Sequence, residues 1–360
     1  MPVPLFATSL EAHLPRIVER LAEVANGGRY ILGPEVEAFE SELAGYLDVE
    51  HCVGVGNGTD AITIALRALG VGPGDEVVCP SFTFYATVEA TVSAGATPVF
   101  CDVDPRTFCV TAETVKAAIT PRTKAIVAVH LFGNVAPMGE LRELGLPVLE
   151  DAAQATGARL DGVRAGALGD AATFSFFPSK NLPCLGDGGA IATNDDDVAR
   201  AARRLRFHGS DDKQTFVDVG YNSRLDELQA AVLRVLLPEL DGWNAARRAG
   251  ADLYTRDGLG EHVELPVAVE GAEQVHHLYV VRHERADELA AALAQSQIGA
   301  RGYYRTPIHR QPATARYAPP GLELPGTEEA ARTHLALPIG PELSEDDVRE
   351  VVAAVAASAA

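Results

Sequence analysis

The sequence predicts an α/β protein with a mainly parallel, doubly wound sheet, on two observations. From about residue 50 to 195, short apolar runs alternate with helix-length amphipathic segments, and several of the runs lack polar alternation, as strands covered on both faces do. At 360 residues and 47% hydrophobic composition, the chain also exceeds what a single core serves, which predicts a smaller companion domain.

The expected strands are HCVGV (51–55), DEVVCP (75–80), TPVFCDV (97–103), KAIVAVHLF (124–132), LPVLED (146–151), AATFSFF (171–177) and GAIATN (189–194). Residues 223–256 then run with a helical period that Pro238 should kink or break. A border near residue 245 is expected, with a large α/β domain over 1–245 that includes the N-terminal arm. The remainder, 246–360, mixes the strand-like HLYVVR with the helical ADELAAALAQSQ and EDDVREVVAAVAASAA, which suits a small α+β domain.

A net charge of −20 argues against a nucleic-acid surface, which needs clustered Lys and Arg. The same charge repels anionic ligands at long range, so a phosphate site must be built locally from backbone N–H groups and a few cations. The start of the chain offers no secretory apolar region and no run is long enough to span a bilayer, so a cytoplasmic protein is expected. Five cysteines, at 52, 79, 101, 109 and 184, form no CxxC pair. They indicate neither a disulfide framework nor a metal site and read as small buried hydrophobes.

Four segments can carry chemistry. In AATFSFFPSKNL, Lys180 follows a strand and a proline, where sheets deliver side chains to ligands. Ser175, five residues earlier, could reach a phosphate held beside it. The plain alternative is a surface cation. In LPVLEDAAQATGA, Asp151 ends a strand. It could cap a helix or face a pyridine nitrogen, keeping it protonated so that the ring accepts electrons. Gln154 could point the same way or into solvent. In GVGNGTDAITIALRALG, the turn Gly56, Asn57, Gly58, Thr59 enters an amphipathic helix and presents free N–H groups at its positive dipole end. It lacks the Lys of a P-loop and the spacing of a dinucleotide fingerprint. In PSFTFYAT (80–87), Phe84 leaves a strand and could stack on a flat heterocycle or belong to the core.

Together these segments resemble the DegT/DnrJ/EryC1/StrS sugar aminotransferases, which are fold type I pyridoxal 5′-phosphate (PLP) enzymes. The resemblance runs from GGRYILGPEVEAFE at 27–40 through GNGTDA, PSFTFYAT, VHLFGN, EDAAQA, FSFFPSKN, GDGGAI and GYNSRLDELQAA to YYRTPIHRQPA. It implies that Lys180 holds PLP as a Schiff base, Asp151 pairs with the pyridine nitrogen, Gln154 lies near the ring hydroxyl and Phe84 stacks on the ring. Gly58, Thr59 and Ser175 match phosphate-cradling positions. Asn222 of GYNSR matches an asparagine that reaches the phosphate in the neighbouring subunit, which implies a homodimer with shared sites. Two departures bear on the substrate side: Phe177 stands where the family commonly has Tyr, and Pro183 and Cys184 where it often has Gly-Ala.

The chemistry implied is ping-pong transfer in which Lys180 first anchors the cofactor and then moves a proton. Glutamate is the donor expected from the resemblance. EDAAQA with YNSRLDELQAA is most similar to enzymes that aminate dTDP-3-keto-6-deoxyhexoses, with dTDP- or GDP-4-keto-6-deoxyhexoses as the alternative acceptors. Tyr304 and His309 are candidate sugar contacts, although both could simply pack the small domain. The rival readings are a PLP sugar dehydratase, disfavoured because it would need His at position 180, a PLP-binding regulator without turnover, and a nucleotide-binding domain using the Gly58 turn.

Overall fold

The computed structural model describes residues 2–6 and 10–359. Its central sheet has seven strands: β1 (His51–Val55), β2 (Glu76–Pro80), β3 (Thr97–Cys101), β4 (Thr123–Val129), β5 (Val148–Asp151) and, after the two-residue β6 (Arg159–Leu160) and β7 (Val163–Arg164), β8 (Ala171–Ser175) and β9 (Gly189–Thr193). They lie in the order β1-β9-β8-β5-β4-β2-β3. Pairing is parallel from β3 through β2, β4 and β5 to β8, and only β9 runs against its neighbours β8 and β1. All seven expected runs are strands of this sheet, each shortened by at most a few residues where a loop takes over. Residues such as Val77, Val127, Leu149 and Ile191 are fully buried, which is why their runs show no polar alternation.

Helices cover both faces. In chain order they begin with α1 (Leu14–Gly27), α2 (Pro34–Leu47), α3 (Gly58–Ala68), α4 (Ala86–Ser93), α5 (Ala112–Ala118), α6 (Met138–Arg142) and α7 (Asp196–Leu205). The helical run after residue 223 is divided where proline removes a backbone donor. α8 (Glu227–Leu236) gives way at Pro238 to the 3₁₀ turn Leu237–Glu239, and α9 (Leu240–Arg256) follows.

The C-terminal part holds the short β10 (Ala272–Glu273) and an antiparallel pair, β11 (Tyr279–Arg282) with β12 (His334–Leu337), together with α10 (Ala286–Gln295), α11 (Pro325–Thr333) and α12 (Glu345–Ala359). Two apolar clusters result. The border expected near 245 falls inside α9, whose Leu240 packs in the first cluster and whose Ala251 and Tyr254 pack in the second. The N-terminal segment, expected with the large domain, touches both clusters: Leu5 and Phe6 pack against the first, Val3 packs in the second, and Val3 and Phe6 bridge to Ile298 and Ile339. An arm this short has no core of its own, so the nearest open edge claims it. All five cysteines are free and buried, as expected of small hydrophobes. Among the described residues, no helix is long and apolar enough to cross a membrane.

Candidate active site

Because β1, β2, β4, β5 and β8 point the same way, their carboxyl ends and the start of β9 share one edge of the sheet, the edge at which α/β proteins bind ligands. A cavity of about 770 Å³ opens there, and Gly58, Thr59, Phe84, Asp151, Gln154, Ser175, Lys180 and Tyr304 all line it. Segments spread over more than two hundred residues of chain thus meet at one place.

The phosphate-type turn is well formed. Asn57 caps α3, its Oδ1 accepting from Asp60 N at 2.8 Å, which leaves the N–H groups of Gly58 and Thr59 for the cavity. A Cβ on Gly58 would stand 2.7 Å from Ser175 Cβ, and one on Gly189 would stand 2.5 Å from the carbonyl carbon of Asn57. Only glycine at both places lets β8, β9 and the turn close on one another, and this brings Ser175 beside the helix N-terminus.

Asp151 is buried at the end of β5 and accepts from Thr87 Oγ1 at 2.9 Å and from Ala153 N at 3.3 Å. Burial raises its carboxyl above the usual range, against the pull of Thr87, Ala153, Lys180 and His130. Burial likewise lowers Lys180, to about 8, although Asp151 opposes the shift. The two groups therefore lie in one poorly solvated space, each wanting a partner of opposite charge.

Gln154 is oriented by its surroundings. Its Oε1 accepts from Phe132 N at 2.7 Å, so its Nε2 is the donor, reaching Tyr304 Oη at 3.1 Å. Tyr304 in turn stacks on Phe132, with ring centroids 5.9 Å apart. Phe84 is half exposed at the cavity and remains free to cover a flat ligand.

Two of the named residues do not line this cavity. His309 lies in the 3₁₀ turn Ile308–Arg310, with Nδ1 2.6 Å from Ser81 Oγ and Nε2 3.3 Å from Glu328. This turn folds onto the exit of β2 through the bond from Ile308 N to Ser81 O, so the imidazole packs behind the cavity wall. Asn222 is exposed, bridged to Phe207, and outside the cavity of its own chain. Conversely, Phe6, Arg301 and the buried His277 line the cavity and drew no attention in the sequence. The only hint was the position of His277 at the entry to the HLYVVR strand.

The donor set fits PLP. A helix N-terminus with a hydroxyl beside it can hold a phosphate, and the same cavity holds a lysine, a carboxylate and an amide donor. Such a site on a mixed, mostly parallel sheet flanked by helices defines a fold type I PLP enzyme. The chain belongs to the DegT/DnrJ/EryC1/StrS aminotransferase family, whose sequence profile matches residues 13–356; these are sugar aminotransferases that work with PLP. It is 48% identical to the dTDP-3-amino-3,4,6-trideoxy-alpha-D-glucose transaminase of Streptomyces venezuelae, over 93% of this chain and 90% of that protein. It is 46% identical to the "pleiotropic regulatory protein" of Geobacillus stearothermophilus, over 99% and 98%. Among solved structures, DesV of S. venezuelae in complex with a ketimine intermediate is similar with a TM-score of 0.95, at 46% identity over 98% of this chain and 97% of that one.

Proposed function

We propose that this protein transfers an amino group from glutamate to a nucleotide-linked keto-deoxysugar, a dTDP-3-keto-6-deoxyhexose before a 4-keto isomer, as a cytoplasmic homodimer. The observation that carries the reading is the meeting of Lys180, Asp151, Gln154 and the Gly58–Ser175 turn around one cavity. The 48% identity to a transaminase named for a 3-amino sugar supports the 3-keto acceptor.

PLP, when bound, supplies an electron-withdrawing ring that stabilises negative charge at the carbon losing a proton. The Gly58 and Thr59 N–H groups and Ser175 Oγ hold its phosphate. Asp151 would accept a hydrogen bond from the ring nitrogen and so favour its protonated form, and that cation would offset the burial that raises the Asp151 carboxyl. Gln154 Nε2, with its oxygen already engaged by Phe132, donates to the ring oxygen. Phe84 covers one face and excludes water. Lys180 Nζ would hold the cofactor between turnovers and, once an amino donor frees it, would move a proton from the donor's α-carbon to C4′ of the cofactor, then from C4′ to the sugar carbon in the second half-reaction. A lysine held at about 8 serves both duties near neutral pH, since it is a usable base without losing its proton altogether.

Asn222 reaches the phosphate of the neighbouring subunit in this reading. What supports it is that Asn222 is exposed away from its own cavity, at the base of a loop with Phe216, Val217 and Val219 open to solvent. Apolar side chains so displayed suit contact with a second chain.

The regulatory reading keeps one observation in its favour, the likeness to a protein named as a pleiotropic regulator. Incubation with PLP, glutamate and a panel of dTDP-, UDP- and GDP-keto sugars separates the two, with the position of the new amine assigned by NMR. Amination at C3 of a dTDP sugar is expected. Binding of PLP with no amine formed from any donor would sink the proposal.

A further inference from the structure

His130 and Glu150 are both fully buried, and neither lines the cavity. Glu150 stands in β5 one residue before Asp151, and its carboxylate is a fixed point. Oε1 accepts from Leu168 N at 2.8 Å and Gly169 N at 2.7 Å, and Oε2 accepts from Gly166 N and from His130 Nε2, both at 2.8 Å. Four donors fill the lone-pair sites of a carboxylate. On the other side of the imidazole, Ala136 N donates to Nδ1 at 3.1 Å. A backbone N–H only donates, so Nδ1 is the acceptor and Nε2 carries the hydrogen given to Glu150.

This chain of bonds closes a turn at the exit of β4. His130 N is bonded to Asp151 O at 3.0 Å, and Ala136 is drawn back onto the His130 ring. Between them Phe132 has a φ of +61° and Gly133 a φ of +97°. Glycine is required at 133, where a Cβ would stand 2.8 Å from His277 N. A phenylalanine in the left-handed region is strained and stays there only when its surroundings hold it. So held, the Phe132 N–H meets Gln154 Oε1 at 2.7 Å, while Phe132 O and Gly133 O accept from Leu278 N and Val275 N at 3.3 and 3.0 Å.

We propose that His130, anchored on Glu150, is a positioning residue for the cofactor ring: by holding the Ala136 N–H it keeps the turn closed, and the closed turn keeps the Phe132 N–H on Gln154 Oε1. The inference rests on the reading of Gln154 Nε2 as donor to the ring oxygen of PLP. An amide whose oxygen is engaged presents its NH2 to the cavity, whereas an amide released from Phe132 can turn either end to the ring.

The readout is the pH at which the PLP Schiff base on Lys180 loses its proton, followed by the absorbance of the full-length protein. A donor on the ring oxygen stabilises the negative charge left there and so holds that midpoint down. Gln154→Ala is expected to raise it by about one pH unit. His130→Gln keeps a donor for Glu150 but has no acceptor at the Nδ1 position, and should raise it by roughly half as much. In the Gln154→Ala background the same change should add nothing. His130→Asn, whose amide oxygen lies near the Nδ1 position, should keep the parent midpoint. An unmoved midpoint in a His130→Gln protein that melts like the parent overturns the proposal, as does a shift that persists in the Gln154→Ala background, or an equal shift in the Asn variant. If His130→Gln does not fold, Glu150→Asp, which draws the carboxylate back from the imidazole, takes its place under the same expectations. A midpoint indifferent to Gln154→Ala alone would defeat the ring-oxygen reading of Gln154 and the proposal with it, and a parent protein without Schiff-base absorbance would defeat the PLP reading.

Discussion

Lys180 and Asp151 share a poorly solvated cavity that moves both away from their ordinary ionisation. With Lys180 lowered to about 8, roughly a tenth of the amine is neutral at pH 7, far more than for a lysine in water. Lys180→Ala is expected to abolish covalent retention of PLP and to reduce amino transfer by about 10³-fold or more, measured as amine produced per enzyme. Thr87 offers a finer probe, because its hydroxyl donates to Asp151 Oδ2 at 2.9 Å. Thr87→Val removes a donor that lowers a carboxyl already raised by burial, so the ionised form is lost at higher pH. The acid limb of the kcat/KM profile should move upward by about one to two pH units. An acid limb that stays in place would separate Asp151 from the reaction.

At the level of elements, the site depends on how closely the α3 turn approaches β8 and β9. Gly189→Ala would place a methyl group 2.5 Å from the Asn57 carbonyl carbon, with backbone rather than a flexible side chain in the way. It should cost about 1–3 kcal/mol of stability and weaken PLP binding, read by thermal melting and by cofactor titration. Asn57→Ala removes the cap of α3 and should cost about 1 kcal/mol, with a smaller effect on PLP. The strands and these loops were legible in the sequence because their signals are local: buried apolar runs, a glycine turn before a helix, a carboxylate closing a strand. Contacts made across long separations were not. The orientation of Gln154 depends on Phe132, held at a φ of +61°, and on Tyr304, 150 residues away. The pairing of His277 with Asn181 spans 96 residues. His309, a candidate sugar contact or packing residue in the sequence, sits in a short helical turn against Ser81.

The whole molecule joins a large sheet to a smaller unit, and the cavity draws on both, with Lys180 from the first and Tyr304 and Arg301 from the second. The exposed Phe216, Val217 and Val219 belong to no core of this chain. Sedimentation should give a particle of two chains, and replacing all three residues by Ser should shift it toward one chain while weakening PLP retention. A dimer untouched by those changes would move the interface elsewhere. The claim on which the rest depends is that Lys180 carries the cofactor and releases it to an amino donor. Borohydride reduction followed by peptide mass mapping tests it directly: the PLP adduct should appear on Lys180 alone and disappear when glutamate is added before the reductant. An adduct on another lysine, or one on Lys180 that persists with every amino donor, would contradict it.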